Sequence, residues 1–196
     1  MSPHHFLYLH GFNSSGESQK AQQVAAFLQA HYPEINFSHP QLPSLPEDAK
    51  AFITSWLGQH SKAQVSLIGS SLGGFYATYF SQRNQLKAIL INPAVAAHQL
   101  LTNYLGPQQN PYTLEKYQLT ERHMHSLKSM HVDTIAAPKN LLLLLQMQDE
   151  VLNAKQVSHY YQKCPAIIEP KGNHAFQGLA RFLPYAVSWL LNSEGE

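Results

Sequence analysis

The pentapeptide Gly69-Ser70-Ser71-Leu72-Gly73 holds a serine in a setting that can make it a nucleophile. The apolar run Val65-Ser66-Leu67-Ile68 precedes it, and a helix-like stretch from Leu72 to Gln82 follows. A G-x-S-x-G between a strand and a helix forms a tight turn that presents the serine hydroxyl on a strained, exposed backbone. Its glycines let strand and helix approach where a Cβ would clash, and Gly74 adds a further small residue at the crowded turn. Ser71 is therefore the candidate nucleophile. A serine hydroxyl is a weak nucleophile until a base takes its proton, and that base must be held in the right tautomer by an acid.

Turns of this kind resemble the nucleophile elbow of α/β-hydrolases, in which the acid and then the histidine follow the serine along the chain. Their site lies at the carboxyl ends of the strands. His174, in Lys171-Gly172-Asn173-His174-Ala175-Phe176, follows the last apolar run and is the candidate base. His10 precedes the serine and fails the order rule, and His159 lies within a helical stretch. For the acid, Asp149 sits just past the fifth strand in Gln146-Met147-Gln148-Asp149-Glu150-Val151, with Glu150 as its neighbouring competitor and Asp133 as a third option. Asp149 is favoured. An oxyanion needs two preorganised N–H donors. The backbone N–H of Leu72 at a helix start is one, and that of Phe12, in His10-Gly11-Phe12 after the first strand, is the natural second.

These residues need a frame. Phe6 to His10, Ile35 to Ser38, Val65 to Ile68, Ala88 to Ile91, Leu141 to Gln146 and Ala166 to Glu169 read as strands. Helices are predicted after Ser18, from Pro46, from Leu72, over Asn153 to Tyr161 and over Phe176 to Leu191. Short continuous apolar strands alternating with helices imply a parallel sheet covered on both faces. The expected fold is a single α/β domain, a three-layer sandwich around a mainly parallel sheet of about six strands. Residues 94–138 form an insert after the fourth strand that shows no clear strand of its own and reads as a helical lid.

The composition narrows the function classes. The chain has 196 residues, a net charge of +1 and no run of Lys or Arg, so neither a nucleic-acid nor an acidic-membrane footprint is expected. Its one cysteine, Cys164, cannot form a disulfide within the chain and reads as a packed small hydrophobe, as in a reducing compartment. No signal-like N-terminus or membrane-length apolar run is seen, and a soluble cytoplasmic location is the expectation. His123, His125 and His131 are spaced in a way that could suggest a metal, but no Cys or close carboxylate pair completes a set. Neither a metal nor a cofactor is expected.

Leu7-Tyr8-Leu9-His10-Gly11-Phe12-Asn13-Ser14-Ser15, Pro40-Gln41-Leu42-Pro43, Gly69 to Gly74, Asn92-Pro93-Ala94-Val95, Asp149-Glu150-Val151-Leu152 and Gly172-Asn173-His174-Ala175-Phe176 together resemble the YqiA-type esterases of proteobacteria, which are small α/β-hydrolases. The resemblance runs over nearly the whole chain. It implies a carboxylesterase for short-chain acyl esters with Ser71, Asp149 and His174 as triad, and it implies that the two antiparallel strands opening larger α/β-hydrolases are missing. Gln148 departs from the family pattern, which has glycine before the Asp. Phe12, Tyr104, Tyr112 and Tyr117 are candidates for shaping the substrate pocket. Bond type is not written in the elbow, so thioesterase and peptidase are rival activities, and a non-catalytic binding protein is the rival from another class.

Overall fold

The computed structural model describes residues 4–192. Its main sheet contains β1 (His4–Leu9), β2 (Asn36–Ser38), β3 (Gln64–Ser70), β4 (Lys87–Ile91), β7 (Leu141–Gln146) and β8 (Ala166–Glu169). The strands lie in the order β2-β1-β3-β4-β7-β8, and every neighbouring pair is parallel. A separate antiparallel hairpin joins β5 (Gly106–Gln109) and β6 (Lys116–Leu119). The helices are α1 (Gln19–His31), α2 (Pro46–Gln59), α3 (Leu72–Asn84), α4 (Ala97–Leu100), α5 (Glu121–Ser129), α6 (Ala154–Tyr160) and α7 (Leu183–Leu191).

The leucine run of β7 shows why the strands read as continuously apolar. Successive side chains of a strand face opposite sides of the sheet, and here both sides are covered. Leu141, Leu143 and Leu145 pack with Ile53 of α2, Phe75 and Phe80 of α3, and Val157 of α6. Leu142 and Leu144 pack on the other face with Val24 and Leu28 of α1 and with Leu183, Val187 and Leu190 of α7. The same alternation splits Leu7 and Leu9 from Phe6 and Tyr8 in β1. Each fully buried leucine stabilises the fold by roughly 1.5–3 kcal/mol before entropy is counted.

From β1 the chain crosses to β2 on one side and then returns to β3 on the other. The strand order thus reverses between β1 and β3, and the crevice beyond their carboxyl ends is where α/β sheets bind ligands. Phe12 follows β1 and Ser71 follows β3.

Two expected features differ. The insert after β4 is not purely helical, because it carries the β5–β6 hairpin as well as α4 and α5. Its strands are short and polar, and Gly106-Pro107 reads locally as a turn, so period-two patterning is weak there. The last helix begins at Leu183 rather than Phe176. Phe176 and Gly178 have φ of 60° and 69°, which break helical geometry, and a short 3₁₀ turn fills Leu179–Arg181. Ser18 does stand at the N-cap of α1, but its side chain makes no capping bond.

Candidate active site

Ser71 sits at φ 55° and ψ −119° between β3 and α3. Such a backbone costs on the order of 1–3 kcal/mol and persists only where its surroundings over-determine it. They do so here. The Ser71 N–H donates to the Ile91 carbonyl at 3.1 Å, and the Ser71 carbonyl accepts from Gly74, Phe75 and Ala94 at 2.9, 3.2 and 3.0 Å. The glycines give room for this turn. A Cβ on Gly69 would lie 2.3 Å from the Gly73 carbonyl oxygen, one on Gly73 1.8 Å from that of Leu9, and one on Gly74 2.6 Å from Pro93.

His174 lies beside this serine, across 103 positions of sequence, with its Nε2 3.1 Å from Ser71 Oγ. On its other edge Nδ1 stands 2.8 Å from Asp149 Oδ2. Only 1% of the Asp149 side chain is exposed. Its second oxygen accepts the backbone N–H groups of Val151 and Leu152, both at 2.8 Å. Burial by itself would raise the Asp149 pKa, but the His174 hydrogen bond, the two backbone donors and the His174 charge together hold it below the ordinary carboxylate value. An ionised Asp149 can only accept, so Nδ1 carries the proton and Nε2 keeps its lone pair for Ser71.

Of the competing acids, Glu150 faces the same residue from another direction. Its Oε2 accepts the His174 backbone N–H at 3.0 Å, which holds the loop rather than the ring. Asp133 is exposed and lies 3.8 Å from His131 Nε2. Gln148 does not adopt positive φ, so the turn before Asp149 has no need of glycine.

Gly11 runs directly against the serine, since a Cβ there would lie 3.2 Å from Ser71 Cβ and 3.6 Å from its Oγ. This brings the Gly11–Phe12 backbone beside the hydroxyl, and Leu72 opens α3 with an N–H that has no intrahelical partner. An open cleft of about 320 Å³ lies against Ser71 and His174, bounded also by Phe12, Asn13, Ser14, Lys20 and Tyr112. Tyr104 does not line this cleft. It packs edge-on behind Phe12 with ring centres 5.2 Å apart.

Several positioning contacts escape a linear reading. Asn92 is fully buried. Its side-chain amide donates to the Asn173 carbonyl at 2.9 Å, and its oxygen accepts the Gln146 N–H at 2.9 Å, tying β4 and β7 to the His174 loop. The Gln146 side chain accepts from the Asn173 and Gln177 backbone N–H groups at 3.1 and 2.8 Å. Gly172, at φ 99°, is required there because a Cβ would fall 2.1 Å from the Gln146 side chain. The β5–β6 hairpin grips the loop after β1. Tyr117 donates to Asn13 Oδ1 at 2.6 Å, and Asn110 donates to the Ser14 carbonyl at 2.9 Å. The one hint of these roles in the sequence was polar residues placed at strand ends.

The remaining candidates lie outside the lining of this cleft. His10 is buried, accepts the Leu42 N–H at 2.9 Å, and has its pKa lowered by burial, opposed by its bond to the Gly11 carbonyl. His123 accepts the Thr120 N–H at 2.9 Å as the N3 residue of a capping box. His125 and His159 are exposed. Among the described residues no cluster of three or more His, Cys, Asp or Glu could hold a metal ion. Cys164 is buried, and burial pushes its thiol up to about 11, so it carries almost no thiolate at neutral pH. No helix among the described residues is long and apolar enough to cross a membrane.

The reversal of strand order, the elbow and the loop after β8 define an α/β-hydrolase fold. Solved structures agree. Est1E from Butyrivibrio proteoclasticus, solved with bound ferulic acid, matches with a TM-score of 0.72 and 13% identity, covering 95% of this chain and 87% of that one. Alpha/beta hydrolase domain-containing protein 10 from mouse matches with a TM-score of 0.71 and 17% identity, covering 95% and 89%. The chain belongs to the YqiA family, whose sequence model, described as Uncharacterised protein family (UPF0227), matches residues 5–191. A UPF0227 protein of Shewanella woodyi (strain ATCC 51908 / MS32) is 27% identical over 188 residues, covering 91% of this chain and 94% of the relative.

Proposed function

We propose that the chain is a serine carboxylesterase acting on small acyl esters, with Ser71 as nucleophile, His174 as base and Asp149 as the acid that orients it. The observation that carries this reading is the unbroken path from Asp149 Oδ2 through His174 to Ser71 Oγ, with steps of 2.8 and 3.1 Å. Ser71 Oγ attacks the ester carbonyl while His174 Nε2 takes its proton. The Phe12 and Leu72 N–H groups donate to the oxygen as it becomes negative. His174 returns the proton to the departing alcohol, leaving an acyl group on Ser71. Water then attacks the acyl-enzyme, giving its proton to His174, and the acid leaves as Ser71 is reprotonated. No step calls for a metal or cofactor.

The cleft beside Ser71 is open and about 320 Å³, which suits a small substrate. Tyr112 and Phe12 supply its apolar surface. The test is hydrolysis of para-nitrophenyl butyrate by the wild type and by Ser71→Ala, with labelling by a fluorophosphonate read at Ser71. Turnover and labelling that both vanish in the variant are expected. Undiminished turnover in a folded Ser71→Ala protein would overturn the proposal, and a silent probe on the wild type would favour a binding protein. Parallel kinetics on an ester, a thioester and a peptide of equal acyl length rank the bond types.

A further inference from the structure

The cleft against Ser71 holds a cation that acyl transfer does not use. Lys20, in the first turn of α1, lines that cleft together with Ser71 and His174. Its ammonium donates to the Ala175 carbonyl oxygen at 3.2 Å. Lys20 is therefore fastened to the residue that directly follows His174. An ammonium has three donors, and the Ala175 carbonyl is its only hydrogen-bond acceptor among the described residues.

The nearby carboxylates are engaged elsewhere. Glu17, on the approach to α1, sits 3.3 Å from His39 and accepts from Gln22. Burial lowers the Lys20 pKa and the Asp149 charge opposes that shift, but both Asp149 oxygens are taken by His174, Val151 and Leu152. No ion pair joins Lys20 to a carboxylate among the described residues. The first turn of α1 contains no acid, and its N-cap Ser18 makes no side-chain cap bond. The positive end of that helix therefore adds to the lysine charge at the cleft wall. Asn13, Ser14 and Gln19 beside it are polar and uncharged.

We propose that Lys20 is a specificity residue that receives an anionic group, such as a carboxylate, on the alcohol portion of the ester. The placement follows from the chemistry. His174 must touch the departing oxygen to protonate it, and Lys20 is anchored one residue beyond His174. The group that leaves with that oxygen extends towards the ammonium. The proposal rests on the serine-hydrolase reading above, and the test separates the two.

The probe pair is meta-acetoxybenzoate and meta-acetoxybenzamide, near-isosteric acetates that differ in the charge of the alcohol. The wild type should favour the benzoate in kcat/KM by about tenfold, the scale of one partly screened charge-assisted hydrogen bond. Lys20→Met should bring the ratio to about one, Lys20→Arg should keep most of it, and added salt should reduce it. A lysine that merely braces the Ala175 carbonyl would, when replaced, lower both rates together and leave their ratio unchanged. That result would overturn the proposal, as would a wild-type ratio near one. A preference for charge only on the acyl arm, seen with para-nitrophenyl hemisuccinate against the butyrate, would equally overturn it. Loss of benzamide hydrolysis in Ser71→Ala separately checks the hydrolase reading.

Discussion

Replacing Asp149 by Asn exchanges one oxygen for an NH₂ and leaves the shape of the side chain unchanged. In the native protein one carboxylate oxygen accepts two backbone N–H groups at 2.8 Å, and the other faces His174 Nδ1 at 2.8 Å. In Asp149→Asn the amide oxygen keeps the two backbone bonds, so the NH₂ must face the ring. Two donors cannot share that contact, and the imidazole shifts its proton to Nε2. Nε2 then donates to Ser71 Oγ and can no longer take its proton. The expected loss in kcat is on the order of 10⁴, as for the same exchange in the Ser-His-Asp proteases, or roughly 5 kcal/mol in the barrier. Stability should fall far less, by about 1–3 kcal/mol for the lost charge-assisted bond. The assay is steady-state turnover of para-nitrophenyl butyrate, with a thermal melt to establish folding. Glu150→Gln is the matched control. Its amide oxygen still accepts the His174 backbone N–H, so kcat should change by less than about threefold, as for a solvent-exposed contact. An Asp149→Asn protein that kept more than a tenth of wild-type turnover, or a Glu150→Gln protein impaired to the same degree, would refute this assignment of roles.

Two further outcomes concern stability. Gly73→Ala places a Cβ 1.8 Å from the Leu9 carbonyl oxygen, where ordinary contact begins at 3.4 Å, so β1 and α3 must part; a loss of about 3 kcal/mol or more in denaturant unfolding is expected. Gly58→Ala meets nothing within 4 Å inside α2 and should instead gain about 0.5–1 kcal/mol; equal effects at the two glycines would contradict the steric argument. The depressed pKa of Asp149 makes its contribution to stability full above the unfolded value near 3.8, and it is lost as pH falls through the lower folded value. The gap in melting temperature between wild type and Asp149→Asn should therefore be widest above about pH 4 and narrow below it, and a gap that widened on acidification would show the sign to be wrong.

The local features were legible because their causes are local. The elbow depends on glycines within two residues of Ser71. The strands depend on apolar runs that alternate between two covered faces. Together with chain order, these make Ser71 and His174 candidates and favour Asp149 over Glu150. The sheet order then accounts for why residues after β1, β3, β7 and β8 meet at all. The β5–β6 hairpin has no such local signal, because its strands are polar and open with Gly106-Pro107. Its anchorage, from Tyr117 to Asn13 across 104 positions, has no local signature.

What the sequence determined by itself was the order and identity of the candidate groups, because backbone stiffness and side-chain pattern act over a few residues. The tertiary structure decided which neighbours face which. It turned Asp149 to the His174 ring and Glu150 to the His174 backbone. It set Asn92 and Gln146 under the loop and joined Lys20 to Ala175 at the wall of the cleft. Those choices depend on contacts between residues dozens of positions apart, and such contacts exist only once the sheet has closed the distance.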